Sequence, residues 1–419
     1  MLARNSFPAS LVLDPFRPTG PQGEERYRYR AGTGLFTVLT LLGVGLLVVS
    51  AVGWAVDSHQ FYFSYLVGWT FCLSITLGAL FFVLVQHLTK ARWVVTVRRI
   101  PEVLMWSFPL LAVLFIPILF GMHDLYHWTH EELYDPTGPA YDEIVAGKRV
   151  YLNTPFWILR VVFYFVIWIL ISHKLYRLSL RQDVEADREI PAQQRKVSAW
   201  GTPLFAITTA FASYDLLMSL DPHWFSTIFG VYFFGGSFLS ALSLIALVGL
   251  TLQQRGGMLR KTITAEHYHD LGKLMFGFTV FWAYIAFSQY MLIWYGNIPE
   301  ETIWYEHRLE HGWGYHSAAL LLLHFVLPFL ILLPRATKRT PALLAIMCVW
   351  LLIMQWFDLH WLAMPVLHVD HAGFHWLDFS CWLGLFCIYL GVFGWRLSRH
   401  PLVPQNDPYL ADSLHFQNA

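Results

Sequence analysis

Ten apolar stretches run along the chain, at residues 34–56, 62–86, 104–121, 155–178, 202–220, 224–252, 274–296, 314–334, 341–361 and 377–396. A helix needs about 20 apolar residues to cross a hydrocarbon core of about 30 Å. Backbone groups in lipid must be satisfied within the segment, so these stretches predict helices. A membrane barrel would instead alternate apolar and polar residues in runs of about ten. Runs such as Leu35 to Val49 show no such alternation. The connecting segments are short and leave no room for a soluble domain. The longest are 122–154 and 179–201, and the charged second one is expected to be helical.

Charge then orients the spans. The chain has 28 Lys+Arg and 28 Asp+Glu, a net charge of zero. That balance hides a strong asymmetry. Arg4, Arg17, Arg26, Arg28 and Arg30 precede span 1, and Lys90, Arg92, Arg98 and Arg99 follow span 2. Lys174, Arg177, Arg181, Arg188, Arg195 and Lys196 lie between spans 4 and 5. Arg255, Arg260, Lys261 and Lys273 lie between spans 6 and 7, Arg335, Lys338 and Arg339 between spans 8 and 9, and Arg396 and Arg399 after span 10. The opposite side holds Lys148, Arg149 and Arg308, and Arg160 lies inside span 4. Cytoplasmic loops carry the excess of Lys and Arg, so both termini are expected in the cytoplasm. Residues 1–33 contain Pro and Arg but no apolar core, so no cleavable signal peptide is expected.

Composition narrows the class further. The chain of 419 residues is 56% hydrophobic and 13% charged, with 19 Trp, 20 Tyr and 33 Phe. Its mean hydropathy is +0.47. Soluble domains average about 25% charged residues. This excludes a soluble enzyme, a disordered scaffold and a nucleic-acid binder.

A repeat is visible. Span 5 begins Thr202-Pro203-Leu204 and is followed by Asp221-Pro222-His223-Trp224; span 9 begins Thr340-Pro341-Ala342 and reaches Asp358-Leu359-His360-Trp361. The copies are four spans apart, an offset that preserves orientation. The expected fold is therefore an all-α integral membrane protein of ten transmembrane helices. Spans 2–5 and 6–9 form two parallel four-helix bundles, with spans 1 and 10 flanking them. The divisions are a cytoplasmic tail 1–33, flanking span 34–61, first unit 62–223, second unit 224–361, outer loop and flanking span 362–396, and cytoplasmic tail 397–419.

Several chemistries are missing. Cys72, Cys348, Cys381 and Cys387 all lie within spans and form no C-x-x-C pair, so they read as small packing residues. A b-type haem needs two histidines at matching depth, and His324 alone lies deep in a span. No nucleotide-binding fingerprint is present. The chain is expected to hold no covalent cofactor and no metal through its side chains.

Ionisable and other strongly polar groups inside a span are costly and default to functional candidates. Arg160, Asp215, Gln289, His324, Gln355, Asp358 and Asp378 form the set, all in the outer half except His324. They are candidates for a proton path or the wall of a quinone pocket. Arg160 needs a carboxylate partner, and depth leaves Asp215 and Asp378. A buried Arg–Asp pair that only fixes helix register is the competing reading. His87, Glu102 and His173 near the inner edge are candidates for proton uptake; the deeper hydroxyls of Ser74, Thr76, Thr208 and Thr209 could carry protons inward with water, although such hydroxyls more often bond their own helix backbone. Histidines crowd the outer rim: His123, His127 and His130 after span 3, and His368, His371 and His375 with Asp370 before span 10. They read as interfacial residues or a docking face ahead of a metal site.

The run from Ser213 to Tyr232, Ser-Tyr-Asp-Leu-Leu-Met-Ser-Leu-Asp-Pro-His-Trp-Phe-Ser-Thr-Ile-Phe-Gly-Val-Tyr, resembles the polysulfide-reductase (NrfD-like) membrane subunits. It looks most like the second NrfD-like subunit of bacterial alternative complex III. The run from His269 to Phe276, His-Asp-Leu-Gly-Lys-Leu-Met-Phe, fits the same subunit. The resemblance covers essentially the whole chain. It implies the bacterial inner membrane and a place in a quinol:electron-acceptor oxidoreductase that delivers electrons to cytochrome c or a cupredoxin. It also implies partners: an Fe–S protein, a multihaem c-type cytochrome that with it carries the electrons, and a first NrfD-like subunit that oxidises quinol. This chain would then supply a proton path and scaffold, bind quinone at most, and have no activity in isolation. Two other readings stand beside it: a stand-alone secondary transporter built on the repeat, and a purely structural membrane anchor.

Overall fold

The computed structural model describes residues 27–29, 32–254 and 258–418. Arg4, Arg17, Arg26, Arg30 and Arg255, and with them most of the tail 1–33, lie outside the described residues. Among the described residues the regular secondary structure is helical, and ten helices are long and apolar enough to cross a membrane. In chain order they are α1 Gly34–Trp54, α2 Ser58–Leu88, α3 Arg99–Phe120, α4 Thr154–Val184, α5 Ile190–Leu220, α6 Phe229–Gln254, α7 Ala265–Gly296, α8 Trp313–Leu332, α9 Pro341–Leu367 and α10 Trp376–Ser398. The chain is thus a multi-pass, all-helical membrane protein.

Local chemistry sets the ends and breaks. Asp57 caps α2 by accepting a hydrogen bond from Gln60 N at 3.0 Å, and Asn153 caps α4 through Phe156 N at 3.0 Å. Both satisfy amides that the first helical turn leaves free. Pro109 and Pro117 open new segments within α3, which runs as Arg99–Met105, Phe108–Leu114 and Ile116–Phe120. In α8 the turns Leu320–Val326 widen to π-helix. Pro328 supplies the reason: it has no N–H for the carbonyl of His324, and its ring would press on that carbonyl.

Several sequence boundaries move. α4 and α5 extend to Val184 and from Ile190, so the charged segment 179–201 is mostly helix and the true connection is 185–189. α9 continues to Leu367, which places Asp358 inside the helix, whereas Asp221 lies in the bend beyond α5. The two Asp-x-His-Trp copies therefore occupy different backbone environments. His123, His127 and His130 do not share a continuous helix; they lie on short turns, with the rings of His123 and His130 stacked at 3.9 Å.

Two helices form the centre. The apolar windows of α2 and α6 are 94% and 83% buried, against 11% for α1. α2 packs on α6, α10, α5, α9 and α3, while α6 packs on α7, α9 and α5. The approach of α2 to α6 is close because Gly78 faces Ser237: a Cβ there would sit 2.2 Å from the Ser237 carbonyl oxygen. α1 lies outside, against α10.

The end carrying residues 122–153, 297–312 and 368–375 is called here the histidine-rich end; the other is the basic end. At the basic end Arg98 and Arg99 are buried, not solvated. Arg98 pairs with Glu102 at 3.0 Å and with Asp407 at 2.7 Å, and Arg99 with Asp183 at 2.7 Å. The C-terminal segment folds back over this cluster, held by Ser413 Oγ donating to the Trp93 carbonyl at 2.6 Å.

Candidate functional site

Three buried carboxylates lie toward the histidine-rich end, and their surroundings separate them. Asp215 on α5 is fully paired. Arg160 Nη2 and Nε on α4 donate to its two oxygens at 2.8 and 2.9 Å, and Tyr164 Oη adds a bond at 2.6 Å. The remaining Arg160 nitrogen donates to the Tyr151 carbonyl at 2.9 Å, and the guanidinium stacks 3.8 Å from the Tyr151 ring. Of the two partners that depth allowed, Asp215 is the one. Such an arrangement locks α4 to α5.

Asp378 on α10 is held by neutral groups from α2 and by the turn before its own helix. Gln60 Nε2 donates at 2.9 Å, Ser64 Oγ at 2.5 Å and the His375 amide at 2.7 Å. His360 Nε2 on α9 lies 3.3 Å from its second oxygen. His368 Nε2 meets Gln60 Oε1 at 2.6 Å and carries the network to the surface.

Asp358 on α9 is 2% exposed. Tyr232 Oη on α6 donates to one oxygen, and Trp282 Nε1 on α7 donates to the other at 3.2 Å. Among the described residues no cation reaches ion-pair distance of it. His324, fully buried on the π-helical turn of α8, stacks on Trp282 with ring centroids 4.1 Å apart, and neither of its ring nitrogens has a partner among the described residues. Gln355, one turn along α9 from Asp358, presses its Oε1 against Gly236 of α6, where a Cβ would lie 2.5 Å away.

A cavity of about 440 Å³ adjoins this cluster, bounded by Tyr232, Trp282, Gln289, Trp304, Tyr305 and Arg308 among others. The two Asp-x-His-Trp copies meet at its edge: Trp224 stacks on Trp304 at 4.4 Å, and Trp361 meets the same ring edge-on at 5.5 Å. Arg308, counted from the sequence as a loop charge, is 2% exposed, with its guanidinium 3.4 Å from the Trp304 ring centroid. Burial pushes it down to about 9, which leaves it charged at neutral pH.

The sequence candidates thus fall into separate groups. Gln289, His324, Gln355 and Asp358 gather around α6–α9. Asp378 forms a second network through His360, and Arg160–Asp215 stands apart on α4 and α5. At the basic end His87 and Arg98 line one small cavity, and Arg98 bonds Glu102, so those two candidates are neighbours. Glu102 is tied into the arginine cluster and also accepts from Ser179 at 2.6 Å. His173 lies apart, against Trp106. Ser74, Thr76 and Thr208 bond their own helix backbones at 2.8, 2.9 and 2.7 Å, whereas the buried Thr209 Oγ1 has no partner among the described residues. Tyr232, Trp282, Arg308, Gln60 and His360 were not singled out by depth. Tyr232 and His360 stand in the quoted motifs, which was the available signal. Aromatic side chains and a loop arginine give none until helices bring them together.

No group of three or more His, Cys, Asp or Glu side chains among the described residues is placed to hold a metal ion. Compared with known proteins, the chain matches no family model and no curated sequence.

Proposed function

We propose that the chain is a membrane subunit of a quinol:electron-acceptor oxidoreductase complex, similar to the NrfD-like subunits, and that it carries protons near the histidine-rich end. Asp358 supports this reading best. A carboxylate held by a phenol and an indole, with no cation to neutralise it, can gain or lose a proton without breaking an ion pair. Asp215, clamped by Arg160, cannot. Quinol oxidation needs a group that takes each hydroxyl proton, and a carboxylate hydrogen-bonded to a tyrosine suits that task. His324 stacks on Trp282, which bonds Asp358, and the Asp378–His360–His368 network starts from His360, two residues along α9.

Electrons would move through partner subunits carrying haem and Fe–S clusters. By the charge rule the histidine-rich end faces the periplasm of a bacterial inner membrane, and the termini face the cytoplasm. Its acidic and histidine side chains suit it for docking those partners. The test is quinol turnover and proton release by the purified complex carrying Asp358→Asn. The expected result is intact assembly with turnover or proton release lowered about a hundredfold or more, the scale of one lost proton-transfer group. Unchanged turnover and proton stoichiometry would refute the proton role.

A further inference from the structure

A second cavity lies at the histidine-rich end, outside the Asp358 cluster. Its volume of about 390 Å³ is within the range of small-molecule sites. The turn 147–152 forms one wall, and the end of α5 with the bend 221–225 forms the other. Much of the surface is apolar, from Val150, Leu152, Met218 and Phe225. On the membrane side it continues into lipid. Tyr214 and Met218 line the cavity, and Phe211 and Ile207 lie deeper on the same face of α5, 41% and 57% exposed. An apolar chain can therefore leave the cavity along α5 without crossing water.

Three polar groups at this wall still have bonds to make. Trp224 is 2% exposed, and its Nε1 donates to nothing among the described residues. Lys148 gives one N–H to the Pro222 carbonyl at 2.5 Å and stands 5.5 Å from the Phe225 ring centroid. Asp221 accepts from the His223 amide at 3.3 Å, and among the described residues the one basic side chain within 4.0 Å of it is His223, at 3.9 Å. Burial lowers Lys148 below the usual lysine range, while Asp221 and Asp142 push it the other way. An ammonium and a carboxylate thus share this space without forming an ion pair. A buried donor without a partner is costly, so an occupant that meets Trp224 Nε1 gains that energy. The wall calls for an anionic acceptor beside Lys148 and Trp224 and a cationic donor beside Asp221, in one molecule.

We infer that this cavity binds a phospholipid with a primary-ammonium headgroup, the phosphatidylethanolamine class, drawn from the leaflet at the histidine-rich end. Its phosphate accepts from Trp224 Nε1 and Lys148 Nζ, its ammonium donates to Asp221, and an acyl chain leaves over Phe211 and Ile207. A purely anionic headgroup would meet Asp221 with like charge, and a choline headgroup has no N–H to give it. The inference goes beyond the proton-carrying reading and does not depend on it.

The test is native mass spectrometry of the full-length chain, delipidated in detergent and then given phosphatidylethanolamine, phosphatidylcholine or phosphatidylglycerol. One retained phosphatidylethanolamine is expected, preferred about tenfold or more over the other two, the effect of one charge-assisted hydrogen bond. Trp224→Phe keeps a ring to stack, breaks no bond made by Nε1 and should weaken retention about tenfold. Asp221→Asn should erase the preference over phosphatidylglycerol. Gly147 lines the cavity at a position where a Cβ meets nothing within 4 Å. Gly147→Trp should therefore fold, fill the cavity and abolish retention, while Gly147→Ala keeps it. Equal retention of the three lipids, or retention unchanged in both Gly147→Trp and Trp224→Phe, would overturn the inference. Displacement of the lipid by equimolar glycerophosphoethanolamine would overturn it too, because the ligand would then be a soluble phosphodiester.

Discussion

Tyr232 of α6 donates its phenolic hydrogen to Asp358 of α9, tying the central helix to a buried carboxylate that has no cation beside it. This contact joins the cavity wall to the proton-carrying candidate. Tyr232→Phe removes the hydroxyl and leaves the ring. A hydrogen bond to a charged acceptor contributes about 1.5–3 kcal/mol. The complex should assemble, with its thermal midpoint lowered by several degrees, and proton release should fall in parallel with that of Asp358→Asn. Differential scanning fluorimetry and proton-release assays on the same preparation would show both.

Arg160 and Asp215 should behave in the opposite way. Breaking a buried pair from one side leaves an uncompensated charge and costs about 3–5 kcal/mol. Arg160→Leu alone should therefore lower the yield of folded protein sharply. The double variant Arg160→Leu/Asp215→Leu should recover most of it, because two apolar side chains leave no charge unpaired. Turnover per assembled complex should be unchanged in the double variant. A loss there, with normal stability, would move Asp215 into the functional group.

Glycine governs how α1 reaches the bundle. A Cβ on Gly391 would lie 2.2 Å from Thr40 Oγ1 and 2.8 Å from the Phe36 carbonyl oxygen. Gly391→Leu should push α1 away from α10. Ser50 Oγ and Ser380 Oγ are 2.8 Å apart, so cysteines at those two positions report the distance. Cross-linking should be efficient in the parent and lost with Gly391→Leu.

The C-terminal segment is the fourth target. Asp407 supplies one of the two carboxylates on Arg98, and Ser413 pins the segment to Trp93. Asp407→Ala leaves Arg98 with Glu102 as its one carboxylate and should destabilise the basic end by about 3 kcal/mol. Faster limited proteolysis within residues 399–418 would report it.

The pattern of apolar runs was enough for the ten spans, because a membrane helix must be apolar along its length. Ends were less legible. Amphipathic extensions such as 179–184 and 190–201 are polar, and they become helix by packing on neighbours. Depth found Asp358, Gln289 and His324, since a charge or amide among apolar residues is visible without coordinates. It could not rank them. Asp215 and Asp358 look alike in sequence, and each accepts from a tyrosine; only Arg160, which pairs with Asp215 and has no counterpart beside Asp358, distinguishes their chemistry. Arg308 was hidden for the opposite reason. A loop arginine reads as solvated until Trp304 and Trp361 fold around it.

The central claim is membership in an electron-transfer complex, and purification tests it most directly. The full-length chain carrying an affinity tag is isolated from its native membrane in mild detergent, and the visible spectrum of the product is recorded. The account predicts co-purifying subunits with c-type haem absorbance that changes on adding quinol. A chain that emerges alone and colourless, yet stable and folded, would contradict it.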